Sequence, residues 1–171
     1  MKKKLIVTSL LAATVFASAA NAANGTFNIT GTIAATPCVA STTVSNITMP
    51  NIELKKLGAA SGQTSSDSTT DITIKLSGCP AVQQNATVTF TGTADTTNPK
   101  ALKLDGVEGV ALALFEENGT KEIEINQAAD VQVLDGSATK DLKYKAKYIS
   151  TASLFKPGNA TATLDFGVTF N

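Results

Sequence analysis

Apolar and polar residues alternate with a period of two along most of this chain. Phe27, Ile29, Gly31 and Ile33 are interleaved with Asn28, Thr30 and Thr32. Ile72, Ile74 and Leu76 alternate with Thr73, Lys75 and Ser77, and Ala86, Val88 and Phe90 with Thr87, Thr89 and Thr91. Val110, Leu112 and Leu114 predict a further strand, and Ile123 and Ile125 sit on its return. Val131 and Val133 start a short one. Leu142, Tyr144, Ala146 and Tyr148 alternate with Lys143, Lys145 and Lys147. The longest pattern comes last: Ala160, Ala162, Leu164, Phe166, Val168 and Phe170 on one face. Side chains on a strand point to opposite faces in turn, so this spacing predicts half-buried β-strands. Asn118-Gly119 predicts a type I′ hairpin. Asp135-Gly136 and Pro157-Gly158 mark further turns, and the small polar residues 58–70 read as a surface loop. Val44, Ile47 and Met49 form a short apolar patch before Pro50. Many short strands with turns between them predict an all-β sandwich.

The N-terminus departs from this pattern. Lys2, Lys3 and Lys4 precede an apolar run over 5–16, and Ala20-Asn21-Ala22 follows. A positive region, a short apolar region and an A-x-A site make a secretory signal peptide over residues 1–22. The run is too short for a good spanning helix. Removing it leaves one domain's length of chain and takes away three lysines, so 11 basic residues face 14 acidic ones. The chain has neither Arg nor His. Such a surface does not suit nucleic-acid backbones, and no nucleic-acid partner is expected. Export implies an oxidising compartment, where Cys38 and Cys79 read as one disulfide. Closing a loop of about 40 residues stabilises by about 4 kcal/mol in the chain-entropy model.

Both ends of the exported chain carry strands that fit a closed sandwich poorly. The last strand has no later strand to pair with, and a long apolar edge is an aggregation hazard. The segment around Phe27–Ile33 has two ways to cover it. It folds back on its own domain, or it pairs with a neighbouring chain and builds a head-to-tail filament. The alternation leaves both open.

Chemical motifs are weak. Ser137-x-x-Lys140 and Ser153-x-x-Lys156 fit a short nucleophile pattern whose companion motifs are missing. Without His, no Ser–His or Cys–His site forms within the chain. Glu116-Glu117 and Glu122/Glu124 read as solvated charges beside a hairpin, without Ca²⁺-loop spacing. Lys143, Lys145 and Lys147 read as the solvated face of a strand. Six N-x-S/T sequons reflect a composition rich in Asn and Thr. Neither an enzyme, a metal site nor a cofactor is expected.

The order of these segments resembles the pilins of chaperone–usher fimbriae, most closely the type 1-like major subunits. The resemblance rests on GTFNITGTI before Cys38, ITIKLSGC into Cys79, ATVTFTGTAD, VALALFEENGT, LKYKAKYIST and the terminal PGNATATLDFGVTFN. Gly158 and Phe170 stand where this family has a glycine ahead of the last strand and a penultimate aromatic, though the family usually has Tyr there. The resemblance implies an incomplete immunoglobulin-like sandwich lacking its final strand (36–171), preceded by a donor-strand extension (23–35). It implies donor positions Gly25, Phe27, Ile29, Gly31 and Ile33. It implies an acceptor groove marked by Gly158, Leu164, Phe166, Val168 and Phe170, and a disulfide Cys38–Cys79. The implied partners are a periplasmic pilus chaperone, an outer-membrane usher and neighbouring pilins in a surface fimbria that supports adhesion. A minor adaptor or ligand-binding tip subunit is the alternative.

Overall fold

The computed structural model describes residues 26–34, 36–42, 46–58 and 60–171. The signal segment, Gly25 and Val44 lie outside the described residues. The chain divides into two units, Met1–Ile33 and Ala34–Asn171.

The second unit is a sandwich of two antiparallel sheets. One sheet has the order β1 (Val39–Thr42), β2 (Thr70–Ser77), β8 (Thr139–Ser150), β5 (Val110–Glu116), β4 (Leu102–Lys103), with β6 (Glu122–Ile123) also pairing with β5. The other has the order β7 (Gln132–Leu134), β3 (Gln84–Thr91), β9 (Asp165–Phe170). The inward residues are those the alternation selects: Ile72, Ile74 and Leu76; Ala86, Val88 and Phe90; Val110, Leu112 and Leu114; Leu142, Tyr144 and Ala146. Each fully buried Leu, Ile, Val or Phe is worth about 1.5–3 kcal/mol of transfer free energy. Phe90 and Tyr144 join the sheets edge to face, with ring centroids 5.0 Å apart.

Several local expectations change. β5 is buried at all seven positions, because Ala101, Ala111, Ala113, Phe115 and Ile149 form a second small cluster and the Lys147 ammonium lies over the Phe115 ring. Residues 62–69 are not a free loop. They extend along β8, with Gly62 N–H donating to Ser150 O and Ser65 N–H to Tyr148 O, and Ser65 and Ser68 are buried. The Asn118-Gly119 turn is not type I′, which needs positive φ at both residues. Gly119 has φ 70°, but Asn126 is the one non-glycine with positive φ among the described residues. Gly119 N–H donates to Glu116 O, and Asn118 Oδ1 accepts from the Thr120 and Lys121 N–H groups. Val133 of β7 and Val131 just before it face outward, and Leu134 faces the core. Glu116 is buried rather than solvated, and its carboxylate accepts the Asp130 N–H at 2.7 Å.

The last strand is shorter than its sequence pattern. β9 begins at Asp165, so Gly158 and Leu164 precede it. Residues 156–161 run instead along the rim of the larger sheet, through bridges Glu108–Lys156 and Asp105–Thr161. The chain then crosses to β3.

Candidate functional site

Among the described residues β9 has a neighbour on one side only. It pairs with β3 from Asp165–Thr91 to Phe170–Ala86, and Asn171 exchanges both backbone hydrogen bonds with Asn85. In an antiparallel ladder, hydrogen-bonded and non-bonded pairs alternate. Asp165, Gly167 and Thr169 therefore direct their N–H and C=O groups at β3. Phe166, Val168 and Phe170 direct theirs at the open edge. The side chains of these same residues point inward, half-buried against the core, as does that of Leu164.

Across from this edge runs the irregular segment 46–57, carrying half-buried Met49, Ile52 and Leu54. Between the two lie adjoining clefts of about 580 and 350 Å³. Ile72, Leu102, Leu104, Val110 and Leu112 line the larger one. Ile72, Ile74, Phe90 and Phe166 contribute to the smaller. The linings hold two charged side chains, Lys156 and Asp71. Each is already ion-paired, Lys156 with Glu108 at 2.9 Å and Asp71 with Lys145 at 2.7 Å. The hydrogen bond and charge of Glu108 raise the Lys156 pKa, and burial raises that of Tyr148 at the cleft. The arrangement is an apolar slot bounded by an unpaired backbone edge. It fits an extended peptide with apolar side chains at every second residue.

The sequence-selected residues fall on three parts of the chain. Cys38 and Cys79 are bonded, joining the start of β1 to the end of β2, and Gln84 Nε2 donates to Cys38 Sγ at 3.4 Å. Leu164, Phe166, Val168 and Phe170 lie along one edge. Gly158 lines the larger cleft and has a packing reason to be glycine. A Cβ there would stand 2.0 Å from Gly106 O, where the two backbones cross. In the other unit, residues 26–33 form no strand. Phe27, Ile29 and Ile33 are 91%, 91% and 102% exposed, and open space surrounds Gly31. A strand needs a ladder, which explains why alternation there yields no element.

The wall at 46–57 was not marked as functional by its sequence. Ile47, Met49, Ile52 and Leu54 follow neither a strand nor a helix period. Of the motifs set aside, Lys156 pairs with Glu108, and all three lysines of the β8 stripe have partners: Glu117, Asp71 and Gly119 O. Among the described residues no three His, Cys, Asp or Glu side chains come together as a metal site.

The family model described as "Fimbrial protein" matches residues 27–171. The chain belongs to the fimbrial protein family. It is 32% identical to the laminin-binding fimbrial subunit ElfA of Escherichia coli O157:H7, over 98% of this chain and 99% of that one. It is 29% identical to long polar fimbria protein A of Salmonella typhimurium, over 99% and 97%. Among solved structures, an antigen and type I fimbria protein of Burkholderia pseudomallei aligns at 32% identity with TM-score 0.61, covering 80% of this chain and 90% of that one. The P pilus rod subunit PapA aligns with TM-score 0.65 over 80% and 100% at 21% identity, a likeness of fold. The fimbrial subunit thus has the incomplete immunoglobulin-like sandwich of pilins. It is a structural subunit of surface fimbriae that associates with other pilin subunits.

Proposed function

We propose that the subunit polymerises by donor-strand complementation, its β9 edge accepting the extension of a neighbouring copy. One observation carries this reading. The open edge presents free backbone groups and inward apolar side chains on Phe166, Val168 and Phe170, and the same chain carries an unpaired segment with apolar residues at matching spacing. Phe27, Ile29 and Ile33 fill the slot. Gly31, without a Cβ, allows the two backbones to approach closely. Gly25 makes the first contact. Burying one Phe and two Ile contributes about 1.5–3 kcal/mol each before ordering costs. Leu164, Phe166, Val168 and Phe170 line the acceptor side, and Gly158 shapes its end.

In this reading residues 1–22 are removed on export, 23–35 are the donor extension and 36–171 the acceptor domain. A periplasmic chaperone lends a strand to the slot until an outer-membrane usher exchanges it for the next subunit's extension. The subunit does no chemistry, and its fimbria serves attachment. The experiment is to express the exported chain without residues 23–34 and add a peptide of those residues. Marked thermal stabilisation and blocked polymerisation are expected. A truncated domain that is stable alone and ignores the peptide contradicts the reading.

A further inference from the structure

We propose that the outer edge of β7 is a second contact surface, where a copy of this chain in an adjacent fimbria adds its own β7 antiparallel and joins the two fimbriae side by side. This edge lies on the opposite side of the smaller sheet from β9. The proposal holds whatever the β9 edge accepts.

The backbone of β7 shows which groups are free. Asn85 of β3 exchanges its backbone hydrogen bonds with Asn171, so in the alternating ladder Gln84 and Ala86 turn theirs toward β7. Further along β3, Val88 O and Phe90 O point the same way and accept from the Ala129 and Asn126 N–H groups. The partners of Gln84 and Ala86 are Leu134 and Gln132. Val133, between them, therefore directs its N–H and C=O away from β3. Among the described residues β7 has no second neighbour, and no hydrogen bond occupies the backbone of Val131.

The side chains fit the same role. Val131 and Val133 are 57% and 53% exposed, and no charge lies between Asp130 and Asp135. Sheet edges in contact with water are ordinarily guarded by lysine, proline or an inward charge. Here the charges stand only at the two ends, where Asp130 is ion-paired with Lys121 and Asp135 accepts the Ser137 N–H.

A second copy is the occupant because the edge is self-complementary in one register. A hydrogen-bonded pair needs edge-facing groups on both strands, which leaves few registers open. With Gln132 on a twofold axis, Val131 faces the partner's Val133, and Val133 faces the partner's Val131. Both pairs are then hydrogen-bonded and apolar. Centring on Val133 sets Val131 against the partner's Asp135. Centring on Val131 sets Val133 against the partner's Ala129, whose side chain is buried. The Gln132 register alone matches both valines, and no Asp faces an Asp in it.

Such a contact is small. A strand pair this short buries well under the about 1,200 Å² of a stable specific interface, so isolated subunits stay apart. A fimbria repeats the edge in every subunit, and linked weak contacts gain about 10²–10⁴-fold in avidity. Without residues 1–22, acidic residues outnumber basic ones. Fimbriae therefore repel one another at low salt and bundle as salt screens the charge.

The test uses assembled fimbriae. Those of the natural chain are expected to bundle as salt rises, read by electron microscopy, and those with Val133→Lys to remain single. Bundling that never occurs, or that Val133→Lys leaves intact, overturns the proposal. Cysteine variants test the register, and decide alone if Val133→Lys does not assemble. On the axis, non-hydrogen-bonded residues stand about 4.5 Å apart, within reach of a disulfide. The two copies of residue 133 stand more than about 7 Å apart, beyond that reach. Mild oxidation of bundled fimbriae is expected to link Gln132→Cys subunits into dimers and to leave Val133→Cys subunits single. At low salt Gln132→Cys should give no dimer. Dimers from Val133→Cys, or none from Gln132→Cys in bundles, refute the register. Gln132→Cys dimers that persist at low salt place the contact within one fimbria and overturn the proposal.

Discussion

β5 and β9 carry similar apolar alternation and meet different fates. β5 has β8 on one edge and β4 and β6 on the other, and every residue is buried. Among the described residues β9 has β3 alone, and its inward residues stay half-exposed. The outward face of β5 is covered by its own second cluster, but the inward faces, apolar in both VALALFE and DFGVTF, do not account for their different burial. The number of neighbours does. A strand with two partners belongs to a finished core. A strand with one partner and an apolar inward face is half of an interface.

The comparison breaks most visibly at Leu114, which is fully buried on β5. Leu114→Ala should cost about 2–5 kcal/mol in urea unfolding. The cost should be the same with or without added extension peptide. Removing the disulfide by Cys38→Ser with Cys79→Ser should cost about 4 kcal/mol, by the loop it closes. Phe166→Ala should behave differently from Leu114→Ala. We expect a loss of about 1–2 kcal/mol in the empty subunit and about 3–5 kcal/mol once the slot is filled and Phe166 fully buried. Equal losses in both states would make β9 an ordinary core strand.

Electrostatics sharpens the same contrast at smaller scale. Residues 26–34 carry no charge, and the two charges at the slot are satisfied elsewhere. Peptide affinity should therefore change little between low and high salt, because screening acts on exposed charges. The smallest effect concerns Glu122 beside β5, whose Oε1 is buried without a partner. Burial pushes its carboxyl pKa up, and Lys100 partly offsets this. An acid with a raised folded pKa binds its proton more tightly when folded, so stability falls as pH rises through the titration. Glu122→Gln should stabilise slightly at neutral pH and not at acid pH, as read from melting curves at both.

Much of this was legible in the alternation of β2, β3, β8 and β9, because a half-buried strand writes its inward face into the sequence. What was hidden has a common cause. Period two tells that one face is apolar, not which face is inward, so Val131 and Val133 suggest a core that Leu134 supplies. Nor does it show a strand covered on both faces, as at Ala111 and Ala113. The wall at Met49–Leu54 is irregular chain without a period. Residues 62–69 look like a loop because their place beside β8 depends on backbone hydrogen bonds that small polar residues do not advertise. Gly158 carried a family signal, and its physical reason is a crossing with Gly106, a residue 52 positions away that no local pattern reveals.

The central claim is that the outer edge of β9 is completed by an added strand. Amide hydrogen exchange of the truncated subunit, with and without the peptide of residues 23–34, tests it residue by residue. Asp165, Gly167 and Thr169 already donate to β3 and should change little. Phe166, Val168 and Phe170 should exchange fast when the slot is empty and become protected when the peptide is present. Protection that rises equally at all six residues, or at none, would contradict the account.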